Sequence, residues 1–292
     1  MDCTAVRAWF DTQEWPLTEE EERQIVSDSG DAPQPDVHHG AAYASRARLR
    51  QQKSQWAWRK WRKARRWTRL FACVPFLRLV AVANALGYGN GRAASDIDLF
   101  VVTAPRRIWL VRLILVSMLR IFRQRPGEHG VDALCPSFFV TTEGLRLEGV
   151  QLSSEQGSMS ELPPDPYLLF WVTQLTVLLD RAPTYHAFWD ANRAWVHRWL
   201  PGTQPRMPHP RLLVQDRWSS RVARCGEWLL RGRIGDAMER WARTLQLRRL
   251  TPTIRAMANV DHRVVVTDTM LKFHTEDRRA AYRDAWYARL RL

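Results

Sequence analysis

At 292 residues the chain is long enough to bury a substantial core. Its 46% hydrophobic and 25% charged residues exclude wholesale disorder and a collagen-like repeat. Lys plus Arg number 44 against 30 Asp plus Glu, and the resulting charge of +14 points to polyanionic partners: nucleic acid, nucleotides or an anionic membrane face.

The opening, MDCTAVRAWF, lacks a basic-then-apolar leader pattern. Residues 1–27 read as two short helices. The second starts at Thr18-x-x-Glu21, a capping box in which hydroxyl and carboxylate satisfy first-turn amides. Residues 28–40 hold Pro, Gly, Asp and Ser without periodicity and read as a linker.

From Arg46 to Arg69 there are eleven Lys or Arg and no acid. Ala57, Trp61, Ala64, Thr68 and Phe71 recur at helical spacing, so this is a helix with one packing stripe. Its other residues, with Trp56, Trp58 and Trp67 interleaved, read either as a solvated face or as a grip for nucleic acid.

Leu77–Ala83 reads as a buried strand, followed by a Gly-rich turn and a second strand, Asp96–Thr103. A helix is expected from Pro105 to about Arg123, with the proline in its first turn. Arg112 and Arg120 interrupt its apolar run, which is too short for a membrane span, and a cytoplasmic location is expected. Arg106, Arg107, Arg112, Arg120 and Arg123 either meet phosphate or snorkel around the sheet. A third strand is expected at Leu134–Thr141 and a hairpin return at Leu145–Leu147.

From Asp165 onward the pattern reads as helical: Pro166–Leu179, Thr184–Leu200, Leu212–Leu229 and Ile234–Leu247. Phe188, Trp195 and Trp199 read as core. Lys272, His274, Asp277 and Arg278 form a polar cluster at a strand-to-helix junction. There Asp277 can pair with His274 and raise its pKa, and the cluster either contacts an acceptor or locks the tail to the body. The fold class is α+β: a small mixed sheet flanked by helices, with a helical C-terminal domain. The expected organisation is an N-terminal module and linker (1–40), a basic helix (41–70), a core (71–150) and a helical domain (151–292).

The chemistry concentrates in Val80–Val102. On a strand Asp96 and Asp98 share a face while Ile97 and Leu99 point to the core. Two carboxylates so close repel unless a cation lies between them or one is protonated, and Mg²⁺ takes carboxylate and phosphate oxygens. Gly87, Gly89 and Gly91 form a loop whose amides can approach a phosphate. The four cysteines, Cys3, Cys73, Cys135 and Cys225, lack C-x-x-C spacing, which argues against a zinc site and a disulfide framework. The histidines show no transition-metal spacing.

The strand, the small-residue turn and Ser95-Asp96-Ile97-Asp98-Leu99 resemble the nucleotidyltransferase superfamily typified by DNA polymerase β. More narrowly, Phe10-Asp11…Pro16-Leu17-Thr18 and Leu271-Lys272-Phe273-His274…Asp277-Arg278-Arg279 resemble a group of prokaryotic nucleotidyltransferase-domain proteins. In that group the first segment often lies in a winged-helix-like module. The resemblance implies that Asp96 and Asp98 bind two Mg²⁺ ions against the triphosphate of an NTP, whose nucleoside monophosphate passes to a hydroxyl or phosphate acceptor. It places Asn84, Ala85, Gly87, Gly89 and Ser95 at the nucleotide.

Two departures stand out. Asn84-Ala85 replaces the family's Gly-Ser; Asn tolerates a left-handed backbone, but Ala has no hydroxyl. The third carboxylate is missing from Leu134–Thr141, where Cys135 and Ser137 stand, leaving Asp132 or Glu143 as substitutes. The alternative implied is a non-catalytic protein of this fold that binds nucleic acid, through 46–69, or a protein partner.

Overall fold

The computed structural model describes residues 1–18, 21, 25, 41–128, 130–152 and 162–291. The expected linker at 28–40 lies outside the described residues. In chain order the elements are α1 (Cys3–Thr12), α2 (Ala41–Phe71), β1 (Leu77–Val82), α3 (Asn84–Gly87), β2 (Ile97–Thr103), α4 (Ile108–Ile121) and β3 (Leu134–Thr141). Then follow α5 (Pro166–Thr173), β4 (Thr176–Asp180), α6 (Thr184–Trp199), α7 (Arg217–Leu229), α8 (Gly232–Arg248), α9 (Pro252–Met257), β5 (Val264–Val266), β6 (Met270–Phe273) and α10 (Arg279–Leu290). This is an α+β fold.

The strands form one mixed sheet in the order β4-β1-β2-β3-β6-β5. β1 runs antiparallel to β2 and to β4, β2 parallel to β3, and β6 antiparallel to β3 and β5. One face carries Leu79, Ala81, Phe100, Val102 and Phe138 against α1, α5, α6 and α10. The other carries Val80, Val82, Ile97, Leu99 and Val101 against α2, α4 and Ala242 of α8. The alternation of a strand therefore sends Asp98 to the same side as Phe100.

Local chemistry explains many of these boundaries. Asp2 caps α1, accepting from the Ala5 amide at 2.8 Å. The Thr18–Glu21 capping box forms, with Glu21 N–H donating to Thr18 Oγ1 at 3.3 Å and Thr18 N–H to Glu21 at 3.0 Å. All five stripe residues of α2 are buried, and Trp61 Nε1 donates to the Leu86 carbonyl at 3.0 Å.

Four expectations are corrected. Helix α4 begins at Ile108, not Pro105: Arg106 takes φ +58°, and the first free amides, Trp109 and Leu110, donate to Glu239 of α8 at 2.9 and 2.8 Å. The hairpin return at Leu145–Leu147 is absent; the chain makes a 3₁₀ turn at Glu148–Val150, and β6 takes the place beside β3. The helix expected over Pro166–Leu179 stops at Thr173, because the segment after it pairs with the open edge of β1 as β4. The half expected to be helical thus supplies β4, β5 and β6 to the sheet, and α7 starts at Arg217 behind the Asp216 cap.

Candidate carboxylate site

Strand β2 opens where Ile97 N–H donates to the Ala133 carbonyl at 2.7 Å, fixing the parallel register in which Asp98 pairs with Cys135. Ile97 and Leu99 are buried, and Asp96 and Asp98 lie half-buried at the strand's start, near enough to repel. Asp98 Oδ2 accepts from Asn84 Nδ2 at 2.6 Å, and Cys135 stands opposite Asp98 on the neighbouring strand. Asn84 takes φ +57°, the left-handed backbone that a glycine would otherwise supply.

Burial pushes both carboxyls above their ordinary range. At Asp98 the Asn84 bond opposes this and the Asp96 charge reinforces it; at Asp96 the Lys60 ammonium opposes it. Burial, with the Asp98 and Asp96 charges adding to it, pushes the Cys135 thiol up to about 12, so it stays protonated at neutral pH in the metal-free site.

Among the described residues neither substitute for a third carboxylate joins Asp96 and Asp98 in a metal-holding group, although the Asp132 charge reaches Asp96. Asp132 is bound by the fully buried Lys60 of α2 and by Arg59, whose Nε lies 3.1 Å from Oδ2. Burial alone would raise the Asp132 carboxyl, but these two cations hold it below its usual range. Lys60 also donates to the Ser95 carbonyl, so it fixes the backbone just before Asp96. Glu143 is exposed beyond the far end of β3, roughly 20 Å or more from Cys135 at the rise of an extended strand. Among the described residues no cluster of three or more His, Cys, Asp or Glu could hold a metal ion.

The glycines of the turn face protein. A Cβ on Gly87 would lie 2.6 Å from the Gln174 carbonyl, and one on Gly91 would lie 2.6 Å from the Ala57 amide of α2. Gly89, at φ +102°, packs under Trp15 and Trp61. Their smallness therefore admits neighbouring elements. Ala85 and Ser95 are half-buried, and Ser95 Oγ donates to the Arg92 carbonyl at 3.2 Å.

The C-terminal cluster lies close by. A pocket of about 220 Å³ is lined by Asn84, Tyr167, Lys272, His274, Asp277 and Arg278, among others. It adjoins the carboxylates through Asn84, which lines it and donates to Asp98 at 2.6 Å, while Ser137 Oγ of β3 lies 3.4 Å from His274 Nε2. The pairing of Phe138 with Lys272 brings the tail here.

Asp277 does not pair with His274 as expected. Arg279 takes it instead at 2.7 Å, together with Asp165 at 2.6 Å, which locks α10 to the body. Burial lowers the His274 pKa to about 4, with Lys272 adding to the effect. Burial, reinforced by Arg279, lowers Lys272 to about 8, and Arg278 is exposed at the rim. Of the arginines at and before α4, Arg106 and Arg107 pair with Asp236, and Arg112 donates to Gln246 at 2.6 Å. A larger cleft of about 720 Å³, between α1 and residues 203–207, is lined by no predicted site residue.

Sequence reasoning missed Lys60, Tyr167 and Tyr282, the last two stacked with ring centroids 5.8 Å apart. No local signal marks them, since each acts across elements distant in sequence. Comparison with family models, curated proteins and solved structures finds no match to this chain.

Proposed function

We propose that the chain binds a nucleoside triphosphate with Mg²⁺ at Asp96 and Asp98 and passes the nucleoside monophosphate to a hydroxyl or phosphate acceptor, releasing pyrophosphate. The observation that carries this reading is the pair itself. Two adjacent carboxylates open β2, raised in pKa by burial, beside an asparagine in a glycine-like conformation. Lys60 offsets the charge of Asp96 only in part, and a cation between the two carboxylates would supply the rest. The order β1, turn, β2 with Asp-x-Asp at its start agrees with the resemblance read from the sequence.

The donors fit one Mg²⁺ held by Asp96 and Asp98, an ion that commonly completes its shell with water and substrate phosphate. A second ion would find no third carboxylate. Bound there, Mg²⁺ would neutralise phosphate charge and polarise the phosphoryl group. The chain's own groups do the rest. Asn84 orients Asp98, and Lys272 and Arg278 offer positive charge to a phosphate tail beside the pair. The pocket is smaller than the roughly 300–1,000 Å³ typical of ligand sites, so it takes part of a nucleotide and leaves the remainder over the open start of β2.

A second reading, nucleotide binding without turnover, rests on the protonated Cys135 at the third position and on Asp132 held by Lys60. Mg²⁺-dependent pyrophosphate release from each NTP, measured for the protein and for Asp96→Asn and Asp98→Asn, separates the two. The first reading predicts release that either substitution abolishes. Nucleotide binding with no release favours the second.

A further inference from the structure

We infer that the consecutive helices α7 and α8, joined by Leu230 and Arg231, form a docking face for an anionic lipid bilayer, on which they lie without crossing. This goes beyond the nucleotide reading and uses none of its residues.

Each of these helices inverts the usual pattern of a surface helix, which buries its large apolar side chains. Their buried residues are small or polar: Ser219 and Ala223 on α7, and Gly235, Glu239, Ala242 and Gln246 on α8. Gly226 sits against Pro75, where an added Cβ would lie 3.2 Å from the ring. Gln246 donates to the Trp109 carbonyl at 2.7 Å. Polar bonds therefore hold much of the two helices to the body.

The large apolar residues point outward. Trp218, Trp228, Leu229, Ile234 and Trp241 are each 58–65% exposed, and Met238 is exposed as well. On α7, Trp218, Cys225, Trp228 and Leu229 follow i, i+7, i+10, i+11; on α8, Ile234, Met238 and Trp241 follow i, i+4, i+7. Each set shares one face of its helix. Single exposed apolar residues are ordinary, but a row of them on each of two consecutive helices is the pattern of an interaction surface.

Charge identifies the partner. Arg217–Arg248 contains eight arginines and no lysine, and every one of the eight is exposed. The carboxylates on and around the two helices are all engaged, Asp268 with Arg243 at 3.0 Å among them. Asp216 caps α7 through the Ser219 amide at 2.8 Å, and Glu227 pairs with Arg78 at 2.6 Å. Asp236 binds Arg106 and Arg107, and Glu239 accepts the α4 amides. The face thus meets its partner with guanidinium groups and bare apolar side chains.

A phosphate-rich surface matches the first, since arginine is weakly hydrated and forks onto phosphate oxygens. Only one with a hydrocarbon layer beneath it matches the second: Leu229, Ile234 and Met238 gain nothing from a nucleic-acid backbone. Tryptophan with snorkelling arginine is the mixture that settles at headgroup level. Among the described residues no helix is long and apolar enough to cross a membrane.

Flotation of the full chain with vesicles of phosphatidylcholine alone, or with phosphatidylglycerol added, tests the inference. The chain is expected to float with the anionic vesicles, to be released by salt, and to stay behind with phosphatidylcholine. Trp228→Ser with Ile234→Ser should lower partitioning about tenfold or more, and Arg221→Ser with Arg224→Ser should do likewise. Because all four side chains are exposed, melting temperature should hold. Failure to float, or flotation unchanged in both double variants, would overturn the inference. So would a dimer that the apolar substitutions dissociate, or capture of an oligonucleotide by this face in place of vesicles.

Discussion

Asp98, near the start of β2, and Asp132, just before β3, are carboxylates with opposite electrostatic fates. Burial raises the first, leaving only Asn84 and Cys135 to offset it, whereas Lys60 and Arg59 hold the second down. A carboxyl raised on folding binds protons more tightly in the native state, so its contribution is full at low pH and is lost as pH rises through the folded pKa. Asp98→Asn should therefore stabilise the ligand-free protein at neutral pH. The gain should vanish near and below the ordinary carboxylate pKa, which urea unfolding at acid and neutral pH would read. Asp132→Asn acts differently: it leaves the buried Lys60 ammonium without its counter-charge and should cost roughly 3 kcal/mol in the same assay. A catalytic base at 132 would instead cost turnover with stability nearly intact.

At the scale of elements, local signals were legible where the sequence itself supplies the partner. The stripe of α2, the Thr18–Glu21 box, the two strands around the Asp-x-Asp and the whole of β3 follow from periodicity and capping. The misses have distant causes. Leu175–Asp180 is apolar at either period, and only the open edge of β1 makes it a strand. The start of α4 is set by Glu239, far along the chain. The glycine turn misled because alternating glycines look the same whether they admit a phosphate or another helix. Gly91→Ala tests this directly. Its new methyl would meet the Ala57 amide at 2.6 Å and the Lys53 carbonyl at 2.8 Å, so thermal unfolding should show a loss of about 1–3 kcal/mol. A tolerated alanine would mean that α2 does not press on the turn.

Across the whole molecule, one sheet joins what the sequence divides. Strand β6 carries Lys272 to the edge of β3, so the tail cluster ends beside the carboxylate pair. The members of both groups were legible as polar clusters, but their meeting was not, because it depends on pairing over more than a hundred residues. With Lys272 titrating at about 8, phosphate attraction in this pocket should weaken as pH rises past that point, and Lys272→Gln should remove the step from a pH series of nucleotide affinity. The nucleotide reading as a whole rests on Asp96 and Asp98 taking up a cation together with a triphosphate. Thermal unfolding with ATP, with Mg²⁺ and with both is its most direct test. The account predicts a rise of several degrees with both together, little with either alone, and none in Asp98→Asn. No rise with Mg²⁺ and any of the NTPs, or a rise that survives both Asp96→Asn and Asp98→Asn, would contradict it.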